Sequence, residues 1–379
     1  MRVRVRPELL RWARERAGFS AEALARRIPQ LPAWERGEVL PTLKQVEKFA
    51  KATYAPVGYL LLSEPPVEVV PIPDFRTPAT VRVNRPSADL LDTVYICQQR
   101  QEWYRDFARA EGEARLPFVG SATLTSSFQE TAAVMRSALG FTTGERRRMP
   151  TWTDAIRRFI EQADSLGVLV MISGVVGSNN RRKLNPNEFR GFALSDELAP
   201  LVFINGADTK AAQMFTLAHE LAHIWLGQSA LSDVDPGAAP SHRVEIWCNQ
   251  VAAEFLVPIE DLRAEYRRQS PLDDECARLA RCFKVSTLVI LRRLHEAGLM
   301  NRDRMWQAYE EELTRLRAIP RSSGGDFYLT QAVRVSKRFA RALVVSTLEG
   351  QTLHRDAFRL LGFSKFETFR ELGRNLGVA

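Results

Sequence analysis

The chain has 379 residues, 45% of them hydrophobic and 26% charged, with a net charge of +8. These values fit two or three folded domains of ordinary globular composition. They exclude an acidic solvating tail and permit a phosphate-backbone partner. The longest nearly continuous apolar stretch, around 168–176, is far short of the roughly 20 residues that span a bilayer. The first residues are charged at helical spacing and hold no apolar core, so no export signal is expected. Cys97, Cys248, Cys276 and Cys282 form no C-x-x-C pair. They are expected to be reduced, mostly buried thiols, which points to a cytoplasmic location.

Residues 1–62 form the first expected domain. Leu9, Leu10, Ala13 and Ala17 recur at helical spacing until Gly18. Ser20 caps a second helix with Leu24, Ala25 and Ile28 on its inner face. Trp34 to Gly37 make a turn, and Thr42 opens a helix that turns Leu43, Val46, Phe49 and Ala50 inward. Twelve basic and six acidic residues fall in this span, so it holds six of the eight net positive charges. Residues 63–85 are a linker that starts with a proline-rich, extended run, in which Asp74-Phe75-Arg76 reads as a structural latch.

From residue 86 to 165 the pattern is helical, and Arg100 to Arg105 read as a core helix with a solvated polar face. Short β-rich runs follow at 167–174, 188–193 and 201–204, separated by Gly, Asn and Pro. Leu201 to Ile204 suit either an interior strand or an edge strand that pairs with an extended substrate. Strong helices over 210–227 and 243–256 complete a domain spanning 86–260. Residues 261–319 are helical, Gly324-Gly325 mark a turn, and 320–379 form a small helical region. The fold class is α+β with a small sheet.

His219-Glu220-Leu221-Ala222-His223 is an H-E-x-x-H match, which chance would produce on the order of once in two hundred chains of this composition. It lies in an apolar run of helical period. The spacing i, i+4 sets both imidazoles on one face, as a zinc site needs. Glu220 then stands beside them as a general base. Two neutral histidines and a glutamate buried together without a metal would be costly. A catalytic zinc needs a third protein ligand and one open position. His242 comes 19 residues after His223, beyond the short spacing of a third histidine. Glu245, on the helix that follows, is the better third ligand, and His242 is otherwise a surface residue. Asn249 lies one turn after Glu245 on the same face, placed to hydrogen-bond a ring N–H of a ligand histidine.

The run from Gly191-Phe192 through FTLAHELAHIWLG, followed by EIWCNQVAAEFLVP, resembles the ImmA/IrrE metallopeptidase-like family over about 165–260. The resemblance implies a zinc-peptidase fold with a small sheet beside the H-E-x-x-H helix. It also implies action on a helix-turn-helix repressor. His219, His223 and Glu245 match that family's metal ligands and Glu220 its catalytic glutamate.

The first domain resembles Cro-repressor-type (XRE-like) helix-turn-helix domains through Leu24 to Ile28, Trp34 to Glu38 and Pro41 to Leu43. Only Pro29 to Ala33 separate Ile28 from Trp34. That is several residues short of a reading helix, and two prolines disfavour one. Weak or non-specific DNA contact through phosphates is therefore expected, with Arg26, Arg27 and Arg36 as contacts. Residues 279–294 have the cadence of a second helix-turn-helix, with Ser286 capping a helix that carries Arg292 and Arg293. The leading expectation is a Zn2+-dependent endopeptidase that regulates transcription by cleaving a repressor. The alternative is a non-catalytic DNA-binding regulator or antitoxin-like partner whose peptidase domain is structural.

Overall fold

The computed structural model describes residues 2–75, 86–232, 242–318 and 333–378. Arg76 of the expected latch and the Gly324-Gly325 turn lie outside them. The chain divides into two compact units. One comprises residues up to Pro71 together with a short stretch ending at Val94. The other begins at Ile72 and continues from Tyr95 onward.

The first unit is a helical cluster of α1 (Pro7–Arg16), α2 (Ala21–Ala25), α3 (Leu31–Glu35) and α4 (Leu43–Thr53), closed by a 3-10 turn over Val57–Leu61. Ser20 accepts from the Ala23 N–H to start α2. Thr42 and Gln45 form a reciprocal capping box at the start of α4. Leu9, Trp12, Leu24, Trp34, Phe49 and Leu60 fill the core. Helix α3 has only five residues, carries Pro32 in its first turn and turns Leu31 and Trp34 inward.

Helix α5 (Ala88–Ala110) starts in the first unit's short stretch and belongs to the second unit from Tyr95 on. There α6 (Phe128–Leu139), α7 (Thr143–Arg148) and α8 (Trp152–Leu166) follow it and precede the strands. These are β1 (Leu169–Ser173), β2 (Val175–Val176), β3 (Asn179–Lys183), β4 (Gly191–Leu194), β5 (Leu201–Asn205) and, after α9 (Lys210–Trp225), β6 (Ala230–Ser232). The main sheet has the order β1-β5-β4-β6, and β2 and β3 form a separate hairpin. β1 runs parallel to β5, and the other pairs are antiparallel. Every residue of the four main strands is buried, so both faces are covered and the strands read as apolar runs. β5 is paired on both flanks, which removes Leu201 to Ile204 as a substrate-pairing edge. The edges are β1 and β6.

Helix α9 packs on β4 and β5, and α10 (Arg243–Leu256) packs on α9 and α6. From Gln213 on, α9 is buried almost all round, as a helix apolar on every face must be. Beyond α11 (Ile259–Glu265), α12 (Leu272–Phe283) and α13 (Thr287–Glu296) meet at Lys284, whose φ of +56° turns the chain before Ser286 caps α13. Leu279, Phe283, Ile290 and Leu294 join the same core as α9 and α10. Helix α14 (Arg302–Ala318) follows. The last helices are α15 (Lys337–Leu348), α16 (His354–Leu361) and α17 (Phe366–Asn375). Arg100 donates to the Leu360 carbonyl and Arg338 to the Tyr104 hydroxyl, which ties these helices to α5. Cys97, Cys248 and Cys276 are buried, Cys282 is half-buried, and all four are free thiols. Among the described residues no helix is long and apolar enough to cross a membrane.

Candidate metal centre

Thr209 starts α9 by accepting from the Ala212 N–H, and the helix then carries His219, Glu220 and His223 into the core. Glu245 enters from the first turn of α10. The ligand-type atoms of His219, His223 and Glu245 all lie within 4.8 Å of one another. The His219 and His223 Nε2 atoms are 3.2 Å apart. The Glu245 oxygens lie 3.1 Å from His219 Nε2 and 3.0 Å from His223 Nε2. Two nitrogens or oxygens bound to one tetrahedral zinc at 2.0–2.1 Å would stand about 3.3 Å apart. The three side chains therefore fit a His2Glu zinc site.

The electrostatics suit a cation. Burial pushes the His223 imidazole down, against the hydrogen bond to Glu245 and with help from the His219 and His242 rings, and so favours its neutral, ligating form. Burial works to raise the Glu245 carboxyl, but His219 and the hydrogen bonds from both rings outweigh it and hold the group well below the usual carboxylate range. Glu220 moves the other way, raised by burial and then by the charge of Glu245. Only the nearby Ser232 hydroxyl works against that rise, and it falls short of a well-formed hydrogen bond to either oxygen.

Gly191 on β4 makes room for that carboxylate. A Cβ there would come within 2.6 Å of Thr216 Cγ2, 2.8 Å of the Phe203 carbonyl and 3.1 Å of Glu220 Oε1. Ser232, at the end of β6, is fully buried with its hydroxyl 3.3 Å from His223 Nε2. Sequence reasoning passes over both residues as site components, because each joins the cluster only through strand pairing.

Asn249 sits one turn past Glu245, and no hydrogen bond joins it to either histidine. Its Oδ1 and the Nδ1 atoms of His219 and His223 are all buried without a partner. His242 is the N-cap of α10 and is exposed, its Nδ1 accepting from the Val244 N–H. It stands outside the three-ligand cluster.

The basic residues expected at nucleic acid divide. Arg26 and Arg27 are exposed at the end of α2. Arg36 is exposed but forms a two-pronged pair with Glu38. Arg292 lies over the Trp306 and Tyr309 rings. Arg293 is only 2% exposed, pairs with Glu254 and Glu296, and donates to the Val257 carbonyl. It ties α13 to the end of α10 and presents no charge to a phosphate, which corrects its expected place at a nucleic-acid surface.

The three ligand-type residues and Glu220 fall within one recognisable stretch. Residues 163–295 match the IrrE N-terminal-like domain, a peptidase family. That match supports the ImmA/IrrE resemblance from the end of α8 through α13, and with it a peptidase domain of a zinc-associated family. It does not extend to the N-terminal unit. Residues 335–375, which span α15 to α17, match a domain of unknown function, DUF8813. No curated protein matches the chain.

Proposed function

We propose that the chain is a zinc-dependent endopeptidase, joined to a helix-turn-helix-like module, that regulates transcription by cutting a helix-turn-helix repressor. One observation carries the reading: three ligand-type groups converge in a buried cluster, and a fourth group, the fully buried carboxylate of Glu220, stands beside them with no basic side chain paired to it. A purely structural metal site has no use for that fourth group, and burying it is costly. His219, His223 and Glu245 would hold the ion, which when bound activates a water and polarises the scissile carbonyl. Glu220 takes the proton from the attacking water and passes it to the leaving amine. We assign Asn249 Oδ1, buried without a partner here, as the acceptor that takes a ring N–H of a ligand histidine in the loaded site and fixes its orientation. Asn249→Ala is then expected to weaken zinc affinity by about 10–100-fold, and unchanged affinity by metal titration would place Asn249 elsewhere.

The deciding experiment is Glu220→Gln, which keeps size and hydrogen-bonding capacity but removes the base. It should retain zinc and the melting temperature of the parent while losing cleavage by about 10²–10⁴-fold. Equal cleavage by both proteins would sink the mechanism. The alternative, a non-catalytic DNA-binding regulator, draws on the basic excess of the first unit and its exposed Arg26 and Arg27. It gains if the parent cuts no repressor and Glu220→Gln leaves regulation unchanged.

A further inference from the structure

The sheet edge beside the metal centre already has an occupant. β6 ends at Ser232, whose hydroxyl lies 3.3 Å from a His223 nitrogen, so this edge runs along the cluster. Asp74 bridges Leu231 in parallel register. The Leu231 N–H donates to the Pro73 carbonyl at 2.9 Å, and the Phe75 N–H donates to the Leu231 carbonyl at 3.0 Å. Residues 73–75 thus add themselves to β6 in the manner by which sheet edges take up extended peptides.

The side chain of Phe75 continues the cover. Its ring stacks 4.3 Å from the His242 ring at 24°, and lies 6.3 Å from the His223 ring at 13°. His219, Glu220, His223 and Ser232 have no solvent exposure at all. A substrate carbonyl must reach that cluster to be cut, so the arrangement seen here is closed. The local sequence suits a resident strand. The chain bends at Pro71 and Ile72 and then runs along the edge, where Pro73 has a fixed φ and offers only the carbonyl that the edge needs. Ile72 is buried and anchors the run.

We propose that Pro73–Phe75 is a built-in occupant of a peptide-docking edge on β6, and that the substrate is an extended segment that displaces it and sets an aromatic side chain against His223 and His242. The inference rests on the peptidase reading above. Displacement exchanges two backbone hydrogen bonds for two equivalent ones, so it is governed by the incoming segment's other contacts and not by the ladder itself.

The test uses the full chain, zinc-loaded, with Phe75→Ala removing the ring and Phe75→Pro removing the N–H given to Leu231. Melting curves check that both fold, and Phe75→Ala alone decides if the proline variant melts early. Three readouts are taken: exchange of the Leu231 amide hydrogen, the rate at which a chelator strips zinc, and cleavage of an unstructured peptide containing Pro-Asp-Phe. Each is expected to rise at least tenfold over the parent. Equal Leu231 exchange, or equal stripping rates, in parent and variants would overturn the proposal. Faster exchange and stripping with no cleavage by any of the proteins would uphold the occupied edge and remove the peptidase reading. If no zinc is held, the exchange measurement decides alone.

Discussion

At Gly191 a single hydrogen stands where any other residue would place a carbon between β4 and α9. Gly191→Ala forces its methyl against Thr216 Cγ2 and the Phe203 carbonyl, an overpacking that costs about 1–3 kcal/mol. The Glu220 carboxylate is the next atom group it meets, so cleavage should fall further than stability while zinc stays bound. Adding Thr216→Ser removes the nearest clashing methyl and should restore part of both; no recovery in melting temperature would refute that account. At the ligands, His219→Ala or Glu245→Ala should lower zinc occupancy at least tenfold by metal analysis, and full loading of Glu245→Ala would mean another residue completes the site. His219, Glu220 and His223 were legible in the sequence because four residues make one helical turn. Ser232 and Gly191 were not, because strand pairing brings them in and leaves no local period to read; Phe75 could be read as part of a latch, but its place beside His223 depends on the same pairing.

Among the elements, α13 shows how a basic helix can spend its charge internally. Arg293→Ala would leave Glu254 buried without its partner, and a loss of about 3–5 kcal/mol is expected in denaturant unfolding. Replacing Arg293 with Met and Glu254 with Leu together should recover most of that loss; if the double variant is as unstable as the single one, the pair is not the cause. At the end of α8, burial pushes the Asp164 carboxyl up to about 6, against the hydrogen bond that it accepts from Ser336. An acid whose pKa is raised on folding binds its proton more readily in the native state, so its contribution to stability grows as pH falls through about 6. Between pH 7.5 and pH 5 the parent should therefore gain about 1 kcal/mol relative to Asp164→Asn, which keeps the acceptor for Ser336. A constant difference across that range would exclude the assignment. The cadence of α12 and α13 was visible in the sequence through the Ser286 cap. That Arg293 points inward was not, because its partner lies 39 residues away on α10. Whether β5 was edge or interior likewise depended on strands remote in sequence.

On the scale of the whole molecule, charge and chemistry are segregated along the chain. Residues 1–62 hold six of the eight net positive charges, and α3 among them is a five-residue helix with two of its side chains committed to the core. The full chain should bind DNA weakly, with little sequence preference, and lose affinity steeply as salt rises. Replacing Arg26 and Arg27 together with Ala should flatten the log–log salt dependence by about two units, near 0.9 for each phosphate contact. A footprint on one operator that persists at about 200 mM salt would show base reading that this short helix does not predict. The α+β class and the peptidase region could be read from the sequence, because each rests on periodicity or on a local motif.

The four thiols turn the molecule into its own clock. Burial pushes Cys97 and Cys276 up to about 12, and Cys248 far above its ordinary value, so none of the three offers a thiolate at neutral pH. Cys282 is half-buried. A maleimide added to the native protein should therefore mark one site per chain promptly. The remaining three should follow only as fast as the interior exposes them. Counting labels against time by intact mass then measures how often each part of the second unit opens: Cys97 for α5, Cys248 for the helix that carries Glu245, and Cys276 for α12. Zinc that stabilises the centre should slow the Cys248 step more than the Cys97 step.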